Sequence, residues 1–407
     1  MSRIAVKTCK RCLYNTSHPL GLILDDEGIC SGCRIHEEKD QLDWDERWDR
    51  LEQLVRPYRG RDSRNYDCIV PVSGAGDSFF IVHLVKERLK LNPLLVTYNR
   101  YYNTPLGIRN LAQLRRRFDC DILIQNVNLL SVKKIIRTTL REFGSFHWPV
   151  LAGQSVFPVQ TALSHGVPLI LWGAHQGLEQ VGMFSHLHEV EMSRRYRKDH
   201  DLMGYEADDL LSTFDTLQDS DVWQYRYPSE DSLSSIGVRG IYLGNYVRWD
   251  PLAQHLNMVK HYGYKSTSSS RTFDVYDHVD DIHYLALHDQ IKFAKNGFGK
   301  VTDQLCREIR YGRIKRTDAI KLNSFYLRQP AKNNNLLLSW LGIDKQGLDF
   351  VISQHVNNNN NDHYMSSVIN RSSRPALPSS CDDFMTITDH DTGEKPPKYI
   401  IIGKGYP

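Results

Sequence analysis

What the sequence does not contain narrows it first. No stretch approaches the roughly 18 uninterrupted apolar residues that a membrane-spanning helix needs, so no helical membrane span is expected. The phosphate-binding pattern G-x-x-x-x-G-K-[ST] is absent, which argues against a P-loop kinase or NTPase. Excess charge of one sign is absent as well. Lys and Arg number 51 against 48 Asp and Glu, a net charge of +3. The pI near 8.3 stays below the values above about 9 that mark nucleic-acid-binding domains, so nucleic acid is not an expected partner. The amino terminus MSRIAVKTCKRC runs into charges and cysteines where a signal peptide would need an apolar core, so a cytoplasmic protein without disulfides is expected. No internal repeat is present. The basic clusters Arg115-Arg116-Arg117 and Arg194 to Lys198 are expected to be mainly solvated.

Cysteine usage is concentrated. Cys9-x-x-Cys12 and Cys30-x-x-Cys33 are two CxxC pairs separated by seventeen residues, close to the template for a four-cysteine zinc site. A module this small has little core of its own. Four thiolates around Zn²⁺ would supply folding energy and leave no open position for catalysis. Residues 1–40 are therefore read as a zinc-binding module. Residues 41–65 follow as a connecting helix, with Trp44, Trp48, Leu51 and Val55 at helical spacing, and a linker.

From Asp67 strands alternate with helices: strands at 67–72, 94–98, 121–124 and 167–172, helices at 77–90, 105–117 and 131–142. The pattern predicts an α/β fold, a doubly wound parallel sheet with ligands at the carboxyl ends of its strands. Residues 66–215 are assigned to this domain. Residues 216–350 are read as mostly helical, with helices at 283–300 and 302–321. Residues 351–407, with an asparagine run and a Ser/Arg/Pro-rich stretch, are read as a flexible tail.

The segment Ser73-Gly74-Ala75-Gly76-Asp77-Ser78 sits between the first strand and its helix. Free N–H groups and the helix dipole at such a corner suit a phosphate. The same residues resemble the S-G-G-x-D-S signature of PP-loop ATP pyrophosphatases, which cleave ATP to AMP and pyrophosphate on an adenine-nucleotide-alpha-hydrolase-like fold. With the CxxC pairs, LREFGS at 140–145, PLILWGA at 168–174, WDP at 249–251, HDQIKF at 288–293, GFGK at 297–300 and CREIRYGRIKR at 306–316, the chain is similar over residues 5–345 to N-acetyl sugar amidotransferases of bacterial surface-polysaccharide (lipopolysaccharide, O-antigen) synthesis. Two departures stand out: Ala75 replaces the signature's second glycine, and Ala174-His175-Gln176 replaces an acidic-then-Asn segment, with Glu179 retained.

The resemblance implies a ligase that converts a sugar acetamido group to an acetamidino group through an adenylated imidate. It also implies ATP and Mg²⁺, a nucleotide-linked N-acetyl sugar, and ammonia from a separate glutaminase similar to the glutaminase and cyclase subunits of histidine biosynthesis. Ser73, Gly74, Ala75, Gly76 and Ser78 would hold the pyrophosphate, with Asp77 on Mg²⁺ or orienting the loop. Thr97 and Tyr98 would line the adenine pocket, and Trp172 and Gly173 would flank ribose or phosphate. Asp77, Ser78, Lys292 and Lys300 would be the catalytic set, with His288 and Asp289 beside it. Read as isolated residues, the lysines are equally a charge-paired surface helix, and His186-x-His188 with Glu189 and Glu191 reads as a solvated loop. Cys68, Cys120, Cys306 and Cys381 do not look like a glutaminase nucleophile. Three alternatives stay open: a PP-loop tRNA thiolation enzyme, a non-catalytic nucleotide-binding scaffold whose loop has decayed, and a zinc-binding regulatory protein.

Overall fold

A computed structural model describes residues 6–60, 65–277 and 279–356. Five parallel strands form one sheet: β1 Cys68–Pro71, β2 Pro93–Tyr98, β3 Ile122–Gln125, β4 Leu169–Trp172 and β5 Arg239–Tyr242, in the order β3-β2-β1-β4-β5. Ile69 pairs with Leu94 on one side and with Ile170 on the other, so β1 is central.

The strands are short and almost wholly apolar because both faces of the sheet are covered. Period-two alternation divides the side chains. After α1 (Ser31–Glu38) among the cysteines, helices α2 (Trp44–Val55), α3 (Gly76–Val82) and α4 (Pro105–Phe118) pack on one face with Cys68, Val70, Leu95, Leu169, Leu171 and Ile241. Ile69, Leu94, Val96 and Ile170 pack on the other against the helix Trp148–His165. Each fully buried side chain such as Val70 or Phe79 contributes about 1.5–3 kcal/mol relative to exposure. Helix starts follow local chemistry: Thr104 caps α4 by accepting the Gly107 N–H at 3.0 Å, with Pro105 in the first turn.

Three features depart from the expected layout. The helix Trp148–His165 was not anticipated, and neither was β5, which the sheet draws from the segment read as helical. The charged stretch 302–321 is two helices, Lys300–Arg310 and Arg316–Leu327. Between them Gly312 takes φ +70°, a conformation that side chains with a β-carbon resist. The expected tail begins within the helix Lys345–Ser353, and from residue 357 it lies outside the described residues, as does Cys381. Among the described residues no helix is long and apolar enough to cross a membrane.

Candidate functional site

The chain leaves β1 toward β2 and β3, then returns to lay β4 and β5 on the opposite side of β1. Between the carboxyl ends of β1 and β4 a crevice opens, the position where sheets of this topology bind ligands. The loop Ser73–Ala75 and the start of α3 occupy one lip, and Trp172 to His175 occupy the other. The loop is held from within: the Ser73 N–H donates to Ser78 Oγ at 2.8 Å, and the Ala75 N–H donates to Ser73 Oγ at 3.1 Å. Among the described residues, the N–H groups of Gly74, Gly76 and Asp77 donate to no protein acceptor. Three free donors at a helix start are a ready anion cradle.

Beside the loop lies a cavity of about 690 Å³. Ser73, Ser78, Thr97, Tyr98, Trp172, Gly173, Lys292 and Lys300 all line it, so it gathers the strand-end residues and both lysines. Gly74, Ala75, Gly76 and Asp77 do not line it; Gly74 and Gly76 could offer a ligand only their backbone. Tyr98 is largely committed to packing, with its hydroxyl 2.7 Å from that of Tyr225 and burial raising its pKa.

The lysines are neither free nor mere surface charges. Lys292 Nζ donates to Asp303 Oδ2 at 2.9 Å, and Lys300 Nζ lies 3.6 Å from Asp277. Asp289 accepts the Lys300 backbone N–H and pairs with the buried Arg271 at 2.7 Å. Lys300 also belongs to a charged group around Asp77. Burial, then the neighbouring Asp277, pushes the Asp77 carboxyl up to about 7, against the opposing pull of Arg307 and Lys300. Asp274 is raised to about 6 by burial and by Asp277. Carboxylates crowded in this way are suited to a cation, which would relieve their repulsion.

Other parts of the wall come from segments that sequence reasoning did not assign. The helix Trp148–His165 supplies Gly153 and Gln154, and His147 just before it stacks on His288 with ring centroids 4.4 Å apart. The cysteine-bearing segment at the amino end supplies His18, Pro19 and Leu20. Arg197, from the basic cluster expected to be solvated, lies 4.2 Å over the Trp172 ring and is paired with Asp201 at 3.0 Å. The other members of that cluster behave variously: Arg194 pairs with Glu206, and Arg195 is 92% exposed. Arg115, Arg116 and Arg117 are exposed, as expected.

The four cysteines of the two CxxC pairs converge. Their sulfur atoms all lie within 4.8 Å of one another, and all four residues are fully buried. The N–H groups of Arg11, Cys12 and Cys30 point at Cys9 Sγ from 3.3–3.5 Å, donors that favour a thiolate there. This donor set fits Zn²⁺ in a closed structural site. Cys306, read as part of a charged helix, is buried beside it and accepts the Leu13 N–H at 3.4 Å.

Of the histidines at 186 and 188, His188 is exposed as the solvated reading expects, and His186 departs from it. His186 is fully buried near Trp44, and burial lowers its pKa to about 4. Glu189 pairs with Arg50 at 2.7 Å, and Glu191 pairs with Arg239. Cys68 and Cys120 are buried with raised pKa values, which suits core packing rather than nucleophilic attack.

Among curated proteins, an uncharacterized protein of Methanocaldococcus jannaschii is 25% identical over 118 residues, 29% of this chain. The match spans 42% of that relative's own length. Residues 267–372 match the family model described as LPS biosynthesis protein WbpG-like, C-terminal domain. That segment carries Lys292, Lys300 and Asp303 on one wall of the cavity, and the match supports a role for this chain in lipopolysaccharide biosynthesis.

Proposed function

We propose that the protein is an ATP-dependent amidotransferase that converts the acetamido group of a nucleotide-linked sugar to an acetamidino group. The observation that carries this reading is the junction of two parts. An anion cradle at the sheet's switch point opens beside a cavity whose lysine-bearing wall falls in the segment similar to a lipopolysaccharide biosynthesis domain. Ala75 does not argue for a decayed loop, because its backbone at φ −88° and ψ 164° is extended and suits alanine.

In this reading the N–H groups of Gly74, Gly76 and Asp77, with the hydroxyls of Ser73 and Ser78, hold the β- and γ-phosphates. Thr97 and Tyr98 flank the adenine, and Trp172 and Gly173 the ribose or α-phosphate. Asp77, with Asp277 nearby, would hold Mg²⁺, which supplies charge neutralisation on the phosphates. The sugar amide oxygen attacks the α-phosphorus, its bond to pyrophosphate breaks, and an adenylated imidate forms. Ammonia from a separate glutaminase adds to the imidate carbon, and AMP leaves with the former amide oxygen. Lys292 and Lys300 offset the charge on the diphosphate of the nucleotide-linked sugar, and the cavity keeps bulk water from competing with ammonia.

The test is incubation with Mg-ATP, an ammonium salt and a panel of UDP-linked N-acetyl and di-N-acetyl sugars. AMP is followed by chromatography and the sugar by mass spectrometry. AMP formed together with a sugar whose oxygen has been exchanged for NH is the expected result. AMP no higher than that of Asp77→Ala with every sugar would overturn the reading.

A further inference from the structure

The helix Lys300–Arg310 stands between the cysteine cluster and the cavity. Asp303, Cys306 and Arg310, at i, i+3 and i+7, lie on one stripe and all engage the zinc module. Tyr14 donates its hydroxyl to Asp303 Oδ1 at 2.8 Å, and Leu13 donates its N–H to Cys306 Sγ at 3.4 Å. Arg310 Nη2 lies 3.9 Å from Cys30 Sγ. The second oxygen of Asp303 accepts from Lys292, which lines the cavity. Tyr14 is fully buried, and its ring packs edge-on against His18 at 4.8 Å and Phe298 at 6.2 Å. His18, on the turn between the two CxxC pairs, reaches the same cavity.

We propose that the zinc module is a working wall of the cavity and that Tyr14 is a positioning residue, fixing Asp303 so that Asp303 holds the Lys292 ammonium in place. A carboxylate bound at one oxygen only can swing about its stem, and a lysine on four flexible carbons follows it. Anchoring the other oxygen to a buried hydroxyl removes that freedom. The hydroxyl is the polar part of Tyr14, so phenylalanine keeps the packing and deletes the anchor. The significance of Lys292 for catalysis rests on the proposed function; the positioning itself does not.

The test uses the full chain and needs neither ATP nor sugar. Lysines are trace-labelled with acetic anhydride, and the labelling of Lys292 is read by peptide mass spectrometry against Lys295. Asp303→Asn sets the rate for a released Lys292. Tyr14→Phe is expected to keep its zinc and to label Lys292 about tenfold faster than wild type, the loss expected for one hydrogen bond to a charged group. In the amidotransferase assay the same variant should show a raised KM for the sugar with kcat much less affected. If Tyr14→Phe loses zinc, wild type stripped by a chelator replaces it and should label Lys292 faster. Unchanged Lys292 labelling in the variant, or in the stripped chain, while Asp303→Asn labels fast, would overturn the proposal.

Discussion

Gly74 packs directly against Gly107. A β-carbon on Gly74 would fall inside contact distance of the Gly107 carbonyl oxygen, and one on Gly107 would overlap Asp280. Two bare backbones thus let the loop after β1, the first turn of α4 and the segment at 280 stack without side chains between them. The Gly74 carbonyl is held by Asn110 Nδ2 at 3.3 Å, which fixes the loop from below. Position 75 has no such constraint, and a β-carbon on Gly76 would meet only the Tyr264 ring at an ordinary 3.5 Å.

The loop positions should therefore respond unequally. Gly74→Ala forces the stack apart and is expected to cost about 1–3 kcal/mol and to remove ATP cleavage. Ala75→Gly loosens an extended residue and should cost at most about 1 kcal/mol, with ATP cleavage retained. Thermal denaturation and AMP release measure both. Equal damage from the two substitutions would mean that the close approach does not shape the loop.

Asp77 makes a prediction with a sign. Burial, and then Asp277, pushes its folded-state pKa up to about 7, well above the ordinary carboxylate value of about 4. Between those values the folded chain keeps a proton that the unfolded chain has released, so this group makes stability fall as pH rises. Asp77→Asn is expected to be more stable than wild type at about pH 8 and to match it at about pH 4. Added Mg²⁺ should raise the melting temperature of wild type at the higher pH and leave the variant unmoved. A stability difference that does not change with pH would refute the crowded-carboxylate account.

Much of this layout was legible in the chain because local pattern and tertiary role agree. Cys68 to Val70 and Leu94 to Tyr98 read as buried strands, and α4 and the helix Leu129–Phe143 carry one apolar stripe each. The helix Trp148–His165 did not, because eleven of its 18 residues are buried and it carries Pro158 inside. Burial on several sides erases the 3.6-residue period. β5 is four residues long and includes Gly240, too short and too plain to stand out. The strand-end residues Ser73, Thr97 and Trp172 were legible from topology alone. His18, His147 and Arg197 were not, since only the folded chain brings a cysteine-module turn, a helix start and a basic cluster to one cavity.

The cysteine cluster should behave as a structural element of the whole chain. One zinc per chain is expected by metal analysis of freshly purified protein, and a value near zero would count against the site. Cys12→Ser, or a strong chelator, should remove binding energy on the order of 10 kcal/mol from a module with little core of its own. Ser31 Oγ donates to the Val181 carbonyl at 2.6 Å, and a β-carbon on Gly32 would strike the Gln180 carbonyl, so the module is seated on the segment after β4. Limited proteolysis should then cut first within residues 6–40 and around 177–183, leaving the sheet intact. Cutting that begins in the sheet would mean that the module is not separately tied by metal.

A last pair ties the end of the cysteine module to the segment after β4. Lys39 is 2% exposed, and its ammonium donates to Glu179 at 2.6 Å and to the Trp249 carbonyl at 3.3 Å. Glu179 is the acid retained in the altered stretch after β4, and its backbone carbonyl accepts from Arg310 at 2.9 Å. Glu179 thus joins the end of the cysteine module, the segment after β4 and the helix beside the cysteines. Lys39→Met would leave the Glu179 carboxylate without its main partner and is expected to cost about 3 kcal/mol by urea denaturation. The double variant Lys39→Met with Glu179→Met should recover most of that loss, because the penalty lies in stranding one charge rather than in losing the pair. If the double variant is as unstable as the single one, then Lys39 acts mainly through the Trp249 carbonyl, and Glu179 is retained for a contact other than this ion pair.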